Sequence, residues 1–215
     1  MKLFGKSETF IGIYDNAISK KECGIIISQF EKSIHLEGKV FNKSGEYVID
    51  YSSKKCIEIS DPRLSRGDVI SRIINGSLIE CMGKYKKEYS SMDNFISPWV
   101  IDDGYNFQKY ETEEDGFKIW HTEAGASSTS NRVLAWMFYL NDAKCGTEFM
   151  SYPTIDAKMG RCVIWPAAWT HTHRGVCPNK GLKYIITGWV TYDTIEEVKR
   201  TNERIKSGNP LPYFD

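Results

Sequence analysis

The run from Arg132 to Leu140 (RVLAWMFYL) limits most severely what this chain can fold into, because eight apolar or aromatic residues follow the arginine without a break. Such a run reads as a buried strand. Arg161 to Trp165 and Lys183 to Tyr192 read as further strands. Asn141-Asp142, Gly146, Gly160, Gly175 and Gly181 punctuate them as turn residues. Short strands with regular turn signals predict an antiparallel sandwich or barrel. The aromatic share of 13% suits such a core, since aromatic side chains pack well on pleated surfaces.

Helices are expected on either side of this region. Phe10 to Tyr14 reads as a short strand, and Ser19-Lys20-Lys21-Glu22 matches a capping box. Ile25, Ile26, Phe30 and Ile34 then follow at helical spacing, with His35 at the helix end as an exposed or capping residue. A second helix is predicted from Gly67 to Tyr89, where Val69, Ile70, Ile73, Ile74, Leu78, Met82, Tyr85 and Tyr89 recur at steps of mostly three and four. Lys84, Lys86 and Lys87 near its end complement the helix dipole and read as a solvated face rather than an anion site. Thr194 to Glu197 is another capping box, opening a closing helix to about Lys206 before Pro210 and Pro212. The expectation is one α+β, mainly β domain over residues 1–215. It comprises a helical support region (1–97), a β core (98–192) and a C-terminal helix and tail (193–215).

Charge and cysteine usage narrow the class. Lys plus Arg and Asp plus Glu are both 28, so the basic excess that a nucleic-acid backbone binder needs is missing. No apolar stretch approaches the length of a membrane span, and MKLFGKSETF lacks an apolar run of signal-peptide length. The six cysteines, at 23, 56, 81, 145, 162 and 177, form no CxxC pair. They read as scattered reduced thiols of a cytosolic protein.

Chemistry concentrates in three of the four histidines. In His121-Thr122-Glu123 an extended backbone would point an imidazole and a carboxylate to one face. Trp169-Thr170-His171-Thr172-His173 offers two more imidazoles, expected on a common face by the same alternation. Two histidines and one carboxylate on one face of an octahedral ion leave three positions open, the non-haem Fe(II) oxygenase arrangement. A lysine directed into a barrel is costly unless it meets an anion, and Lys183 begins the strand after the histidine pair. Lys183, Ile185, Thr187 and Trp189 share one face of that strand. Read singly, Lys183 is equally a strand-end lysine in water, and Trp189 a core residue.

Together these residues resemble the Fe(II)- and 2-oxoglutarate-dependent dioxygenases, specifically their prolyl 4-hydroxylase-like group. That family pattern has His-x-Asp, a distal His, a Lys ten residues later and a Trp six further on. Here His173, Lys183 and Trp189 keep those spacings, and Gly181 also matches. So do Tyr110, Gly116 and Phe117 before the proximal histidine. Cys145-Gly146-Thr147-Glu148-Phe149 is similar to the family's Gly-Glu-Thr-x-Phe turn in altered order, and Tyr14-Asp15-Asn16 through Cys23 to its entry into the first helix. Two departures are the carboxylate, which is Glu123 rather than Asp, and two extra residues between Tyr110 and His121.

The resemblance implies a double-stranded β-helix (jelly-roll, cupin-like) with flanking helices. It implies Fe(II) held by His121, Glu123 and His173, with 2-oxoglutarate and O2 as cosubstrates and ascorbate as a candidate supplement. Lys183 would pair with the 5-carboxylate of 2-oxoglutarate, with Tyr110 and Thr147 as hydrogen-bond partners and Trp189 packed against it. The ten-residue spacing selects His173 over His171, which would shape the pocket wall together with Arg132. No catalytic residue beyond the metal ligands is implied. A retained carboxylate favours hydroxylation over halogenation. The implied substrate is a prolyl residue in a peptide or protein, with a free amino acid or another small molecule as the alternative. Residues 47–53 and 124–131 read equally as lids or plain loops. A cupin-like isomerase or hydrolase, a metal-binding module without turnover and a purely structural jelly roll remain as competing classes.

Overall fold

The computed structural model describes residues 9–42, 44–60, 62–94, 98–176, 181–193 and 196. The expected closing helix lies almost wholly outside them. Along the chain come β1 (Gly12–Tyr14), α1 (Lys20–Glu31), β2 (His35–Glu37), β3 (Val40–Phe41), β4 (Tyr47–Val48), β5 (Lys54–Lys55) and β6 (Ile57–Ile59). Then follow α2 (Val69–Glu88), β7 (Trp99–Tyr110), β8 (Gly116–Phe117), β9 (Arg132–Tyr139), β10 (Gly146–Phe149) and β11 (Ile155–Asp156). The described strands end with β12 (Cys162–Pro166), β13 (His173–Gly175) and β14 (Lys183–Tyr192).

A seven-stranded antiparallel sheet runs in the order β1-β12-β9-β14-β7-β6-β2, and a second sheet in the order β11-β10-β13. The apolar run of β9 explains how they stack. Its alternate residues Leu134, Trp136 and Phe138 join one buried cluster with Phe30 of α1 and Ile74, Leu78 and Tyr85 of α2. Ala135, Met137 and Tyr139 join the other cluster, with Phe149 of β10 and Ile155 of β11. One face of the large sheet therefore carries the helices and the other faces the small sheet. A strand covered on both faces needs no polar alternation. Burying each such large side chain contributes roughly 1.5–3 kcal/mol, so β9 is the spine of the fold.

The helices begin as expected. Ser19 accepts from the Glu22 amide while the Glu22 carboxylate accepts from the Ser19 amide, and Asp68 caps α2. The first helix is shorter than its apolar spacing suggests. It ends at Glu31, leaving Ile34 82% exposed. His35 then lies in β2, where its Nε2 donates to the Phe30 carbonyl at 2.9 Å and its ring stacks on Phe30. It adds a side-chain donor to a helix-end carbonyl that also accepts from the Ser33 amide at 2.9 Å.

Two glycines are required by close approach. Gly160 turns at φ +74°, with Ile18 O only 2.1 Å from where a Cβ would sit. Gly188 leaves room for the Trp136 indole, which would lie 2.3 Å from a Cβ. Beside Gly188 the pairing of β14 with β7 shifts register, so that Gly188 faces Tyr105 while Val190 faces Ile101. The extra residues lie on β7, and β14 keeps its alternation against β9 from Ile185 to Val190, so Trp189 faces the interior with Lys183, Ile185 and Thr187. The five described cysteines are free and buried, as the sequence predicts. No described helix is long and apolar enough to cross a membrane.

Candidate metal centre

His121 and His173 meet through backbone pairing. Each amide donates to the other's carbonyl, at 2.9 and 3.0 Å. His173 is itself paired with Phe149 across β10 and β13. Residues paired across strands point their side chains to the same side, so both imidazoles enter the space between the sheets, with ring centroids 4.4 Å apart. Phe117 stacks on His121 at 3.7 Å, and Trp165 stands edge-on to His173 at 5.1 Å. The chain turns just after His121 and brings Glu123 back, with its Oε1 3.3 Å from His173 Nε2 and 4.0 Å from His121 Nε2. The ligand atoms of these three residues all lie within 4.8 Å of one another, the one such metal-type group among the described residues.

The donor set fits a divalent iron. His121 Nδ1 donates to the Ile119 carbonyl at 3.0 Å, and His173 Nδ1 to the His171 carbonyl at 2.9 Å. These bonds hold a proton on Nδ1 in either charge state, so that it is the Nε2 lone pair that faces Glu123 once the ring is neutral. Burial pushes the His121 pKa down to about 4, helped by the charge of His173 and opposed by Glu123 and the Ile119 carbonyl. Burial would raise the Glu123 pKa, but the hydrogen bond and charge of His173, the charge of His121 and the Trp189 N–H bring it to about 2. A neutral His121 and an ionised Glu123 at neutral pH are what a metal ligand set requires.

A stability prediction follows. Both groups are depressed in the folded state, so their contribution is complete above the unfolded values of about 6.5 and 4.5. It falls as the pH drops, first through His121 down to about 4 and then through Glu123 down to about 2. The expected loss is on the order of a few kcal/mol. Denaturant unfolding of the metal-free protein between pH 7 and pH 4 measures the His121 part, which should vanish in His121→Gln.

The cavity around these ligands is walled by β7, β9 and β14 of the large sheet and by the small sheet. Counted out to the solvent at its mouth, the space between the lining side chains is about 580 Å³. Lys183, Ile185, Thr187 and Trp189 all line it, as their shared strand face predicts. The Lys183 ammonium is buried, donates to the Val176 carbonyl at 2.7 Å and lies 4.6 Å over the Tyr110 ring. Tyr110 and Thr147 also line the cavity. The Tyr110 hydroxyl donates to Gln108 Oε1 at 2.7 Å, and the Thr147 and Tyr139 hydroxyls share a bond at 2.6 Å. Trp189 does more than offer a flat face, because its Nε1 donates to Glu123 Oε2 at 2.7 Å. Arg132 does not line the cavity as the sequence suggests but backs it, its guanidinium 3.6 Å from the Trp189 ring centroid and its Nη1 3.2 Å from the Glu123 carbonyl.

His171 corrects the sequence expectation. It does not share a face with His173, because Trp169–His171 forms a 3-10 turn that interrupts the alternation. Its Nε2 donates to the Thr9 carbonyl at 2.8 Å, and its ring stacks on Tyr152. It touches Phe149, which in turn packs on His173, so it backs the wall without lining the cavity.

The sequence reading missed a polar chain along the same wall. Lys54 is buried, lines the cavity and pairs with Glu58, which accepts from Gln108 Nε2 at 2.7 Å. Gln108 continues to Tyr110. Strand alternation back from Tyr110 marks Gln108 and Asn106 as lining residues. No local pattern marks Lys54, which reaches the cavity because β5 pairs with β8.

The comparisons agree with this geometry. Residues 105–191 match the model of the 2OG-Fe(II) oxygenase superfamily. No protein of curated function matches the chain in sequence. Among solved structures the chain is similar to a viral collagen prolyl hydroxylase from Paramecium bursaria Chlorella virus-1 in its 2OG complex, at 14% identity and TM-score 0.54, covering 86% of this chain and 97% of that one. It is also similar to a prolyl hydroxylase from Trichoplax adhaerens bound to a hypoxia inducible factor peptide fragment, at 14% identity and TM-score 0.62, covering 86% and 84%. A Pseudomonas putida prolyl-4-hydroxylase matches at 10% identity and TM-score 0.59, covering 86% and 94%. The fold is thus the double-stranded β-helix of the 2-oxoglutarate oxygenases, and the resemblance to their prolyl 4-hydroxylase-like members stands. Fe(II), 2-oxoglutarate and O2 are the cofactor and cosubstrates of that superfamily, and the His-Glu-His group fits the iron.

Proposed function

We propose that this chain, matching the 2OG-Fe(II) oxygenase superfamily over residues 105–191, hydroxylates an unactivated carbon of a prolyl residue in a peptide or protein. The observation that carries the reading is the convergence of two imidazole nitrogens and one carboxylate within 4.8 Å in a cavity that also holds the buried Lys183. In this reading residues 1–215 serve one catalytic domain.

His121, Glu123 and His173 would hold Fe(II). When bound, the iron and 2-oxoglutarate supply oxidising power from O2, with release of CO2 and succinate. The rest falls to the protein. Lys183 receives the distal carboxylate of the keto acid, with the Tyr110 and Thr147 hydroxyls as further partners. The Nδ1 bonds to Ile119 and His171 keep both imidazoles turned inward through the cycle. Phe117, Trp165 and Met137 keep water away from the reacting carbon.

A peptide substrate is supported by exposed apolar side chains on the segment that leads to the cavity residue Lys54. Tyr47, Ile49 and Tyr51 alternate along the approach to β5 and are 68%, 46% and 49% exposed, with Phe41 beside Tyr47. Exposed apolar side chains of this kind suit contact with an extended peptide better than with a small polar metabolite. Residues 124–131 are pinned at their ends, by Ala124 to Ala167 and by Asn131 to Tyr192. Segment 47–53 is held at its ends as well, β4 by β3 and the Ser53 carbonyl by the Lys118 amide at 2.8 Å, so the two segments stand equal as candidate lids.

The test is an anaerobic titration with Fe(II) and then 2-oxoglutarate, watched for the charge-transfer band of the iron-bound keto acid, followed by succinate formation in air. The band and succinate should appear, and proline-containing peptides should raise succinate yield while becoming heavier by one oxygen atom. Absence of the band refutes the oxygenase reading. A band with stimulation only by free amino acids replaces the peptide by a small molecule.

A further inference from the structure

We propose that Trp189, clamped by Arg132, is the positioning residue that restricts Glu123 to a single ligating oxygen. The inference rests on the metal site proposed above and concerns how its one unusual member is made to work. A glutamate arm is one methylene longer than an aspartate arm, so its carboxylate has the freedom to turn both oxygens towards an ion. A second carboxylate oxygen would take one of the three positions that a chelating keto acid and O2 need.

The structure separates the two oxygens. Oε1 faces the imidazoles, 3.3 Å from His173 Nε2. Oε2 is turned away and accepts from Trp189 Nε1 at 2.7 Å. An indole N–H donates and does not accept, so it has one stable use here, and a bond to an ionised oxygen is among the stronger kinds.

The indole is itself held from two sides. Its backbone carbonyl accepts from Trp136 Nε1 at 3.2 Å, where Gly188 admits the Trp136 ring. Its ring carries the Arg132 guanidinium at 3.6 Å. Arg132 Nη1 also lies 3.6 Å from Glu123 Oε2 and 3.2 Å from the Glu123 carbonyl, so one cation orients both partners of the bond. Alternation along β14, unbroken against β9 from Ile185 to Val190, presents the indole at this point.

The test compares wild type, Trp189→Phe and Arg132→Met by three measurements: Co(II) affinity, the visible absorption of the Co(II) protein, and the anaerobic 2-oxoglutarate titration of the Fe(II) protein. Trp189→Phe keeps an aromatic ring under Arg132 and removes only the N–H. It should bind Co(II) at least as tightly as wild type and show the weaker visible absorption of a higher coordination number. Its 2-oxoglutarate half-saturation should rise by about tenfold or more, the range for losing a group that orients a ligand. Arg132→Met should change the same quantities in the same direction by less, and it carries the test if Trp189→Phe does not fold. Unchanged cobalt absorption and unchanged 2-oxoglutarate titration in the folded variants would overturn the proposal. So would loss of Co(II) binding itself, which would make Trp189 a strut of the whole site. A wild-type protein without the charge-transfer band fails differently, since it removes the metal reading on which the proposal rests.

Discussion

Replacing His173 by alanine is expected to remove Fe(II) binding and all Fe(II)-dependent succinate formation. The loss should exceed the roughly 100-fold limit for a residue that merely supports a ligand, because His173 would supply a ligand atom itself. The same side chain has a structural share. It is 5% exposed and packs between Trp165 and Phe149, so truncation also leaves a small hole. His173→Gln keeps most of the volume and separates the two effects. It should melt close to wild type and still fail to bind Co(II) in a calorimetric titration. The equivalent change at His171 gives the contrast. His171→Gln should weaken the attachment of Thr9 and lower stability, yet leave metal affinity near wild type, because that imidazole is bonded to the Thr9 carbonyl and lies outside the cavity. Equal losses of Co(II) affinity in both variants would break the assignment of His173.

That contrast shows what was legible beforehand. Alternation alone places His171 and His173 on one face, and it fails because a 3-10 turn ends at His171 before β13 begins at His173. Separation to Lys183 points to His173, the histidine that the structure brings beside His121 and Glu123. Lys183 to Trp189 was readable because β14 keeps its alternation against β9 up to Val190, the irregularity beside Gly188 lying on β7. The large sheet was readable for a related reason. An uninterrupted apolar run such as β9 has few alternatives to burial on both faces. Residues 35–59 were not readable. Their strands are only two or three residues long, so no periodicity develops, and their pairing with β7 and β8 is a long-range event. Lys54 and Glu58 therefore entered the cavity wall unannounced.

Lys183→Met is expected to raise the 2-oxoglutarate half-saturation at least about a hundredfold, with Co(II) affinity unchanged. The size follows from the cost of leaving a buried charge without its partner, about 3 kcal/mol or more, which is a factor of a hundred or greater. Methionine keeps the length and apolar stem and removes only the ammonium, so the variant should fold. The cavity has a second buried ammonium, Lys54, and the two predict different outcomes. Lys54 is already paired with the Glu58 carboxylate, and Glu58 in turn holds Gln108 and, through it, the Tyr110 hydroxyl. Removing Lys54 should loosen segment 54–59 and change the keto acid requirement only modestly. Lys183 instead donates to a carbonyl and lies over the Tyr110 ring, on the strand face that leads directly to Trp189 and the metal ligands. Titration of both variants with 2-oxoglutarate, and with a 2-oxo acid lacking the distal carboxylate, decides between them. If Lys183 is the anchor, Lys183→Met should no longer distinguish the two acids, while Lys54→Met still prefers 2-oxoglutarate. The reverse pattern would move the anchor to Lys54 and require the cosubstrate to lie along β8, against Phe117, instead of along β14.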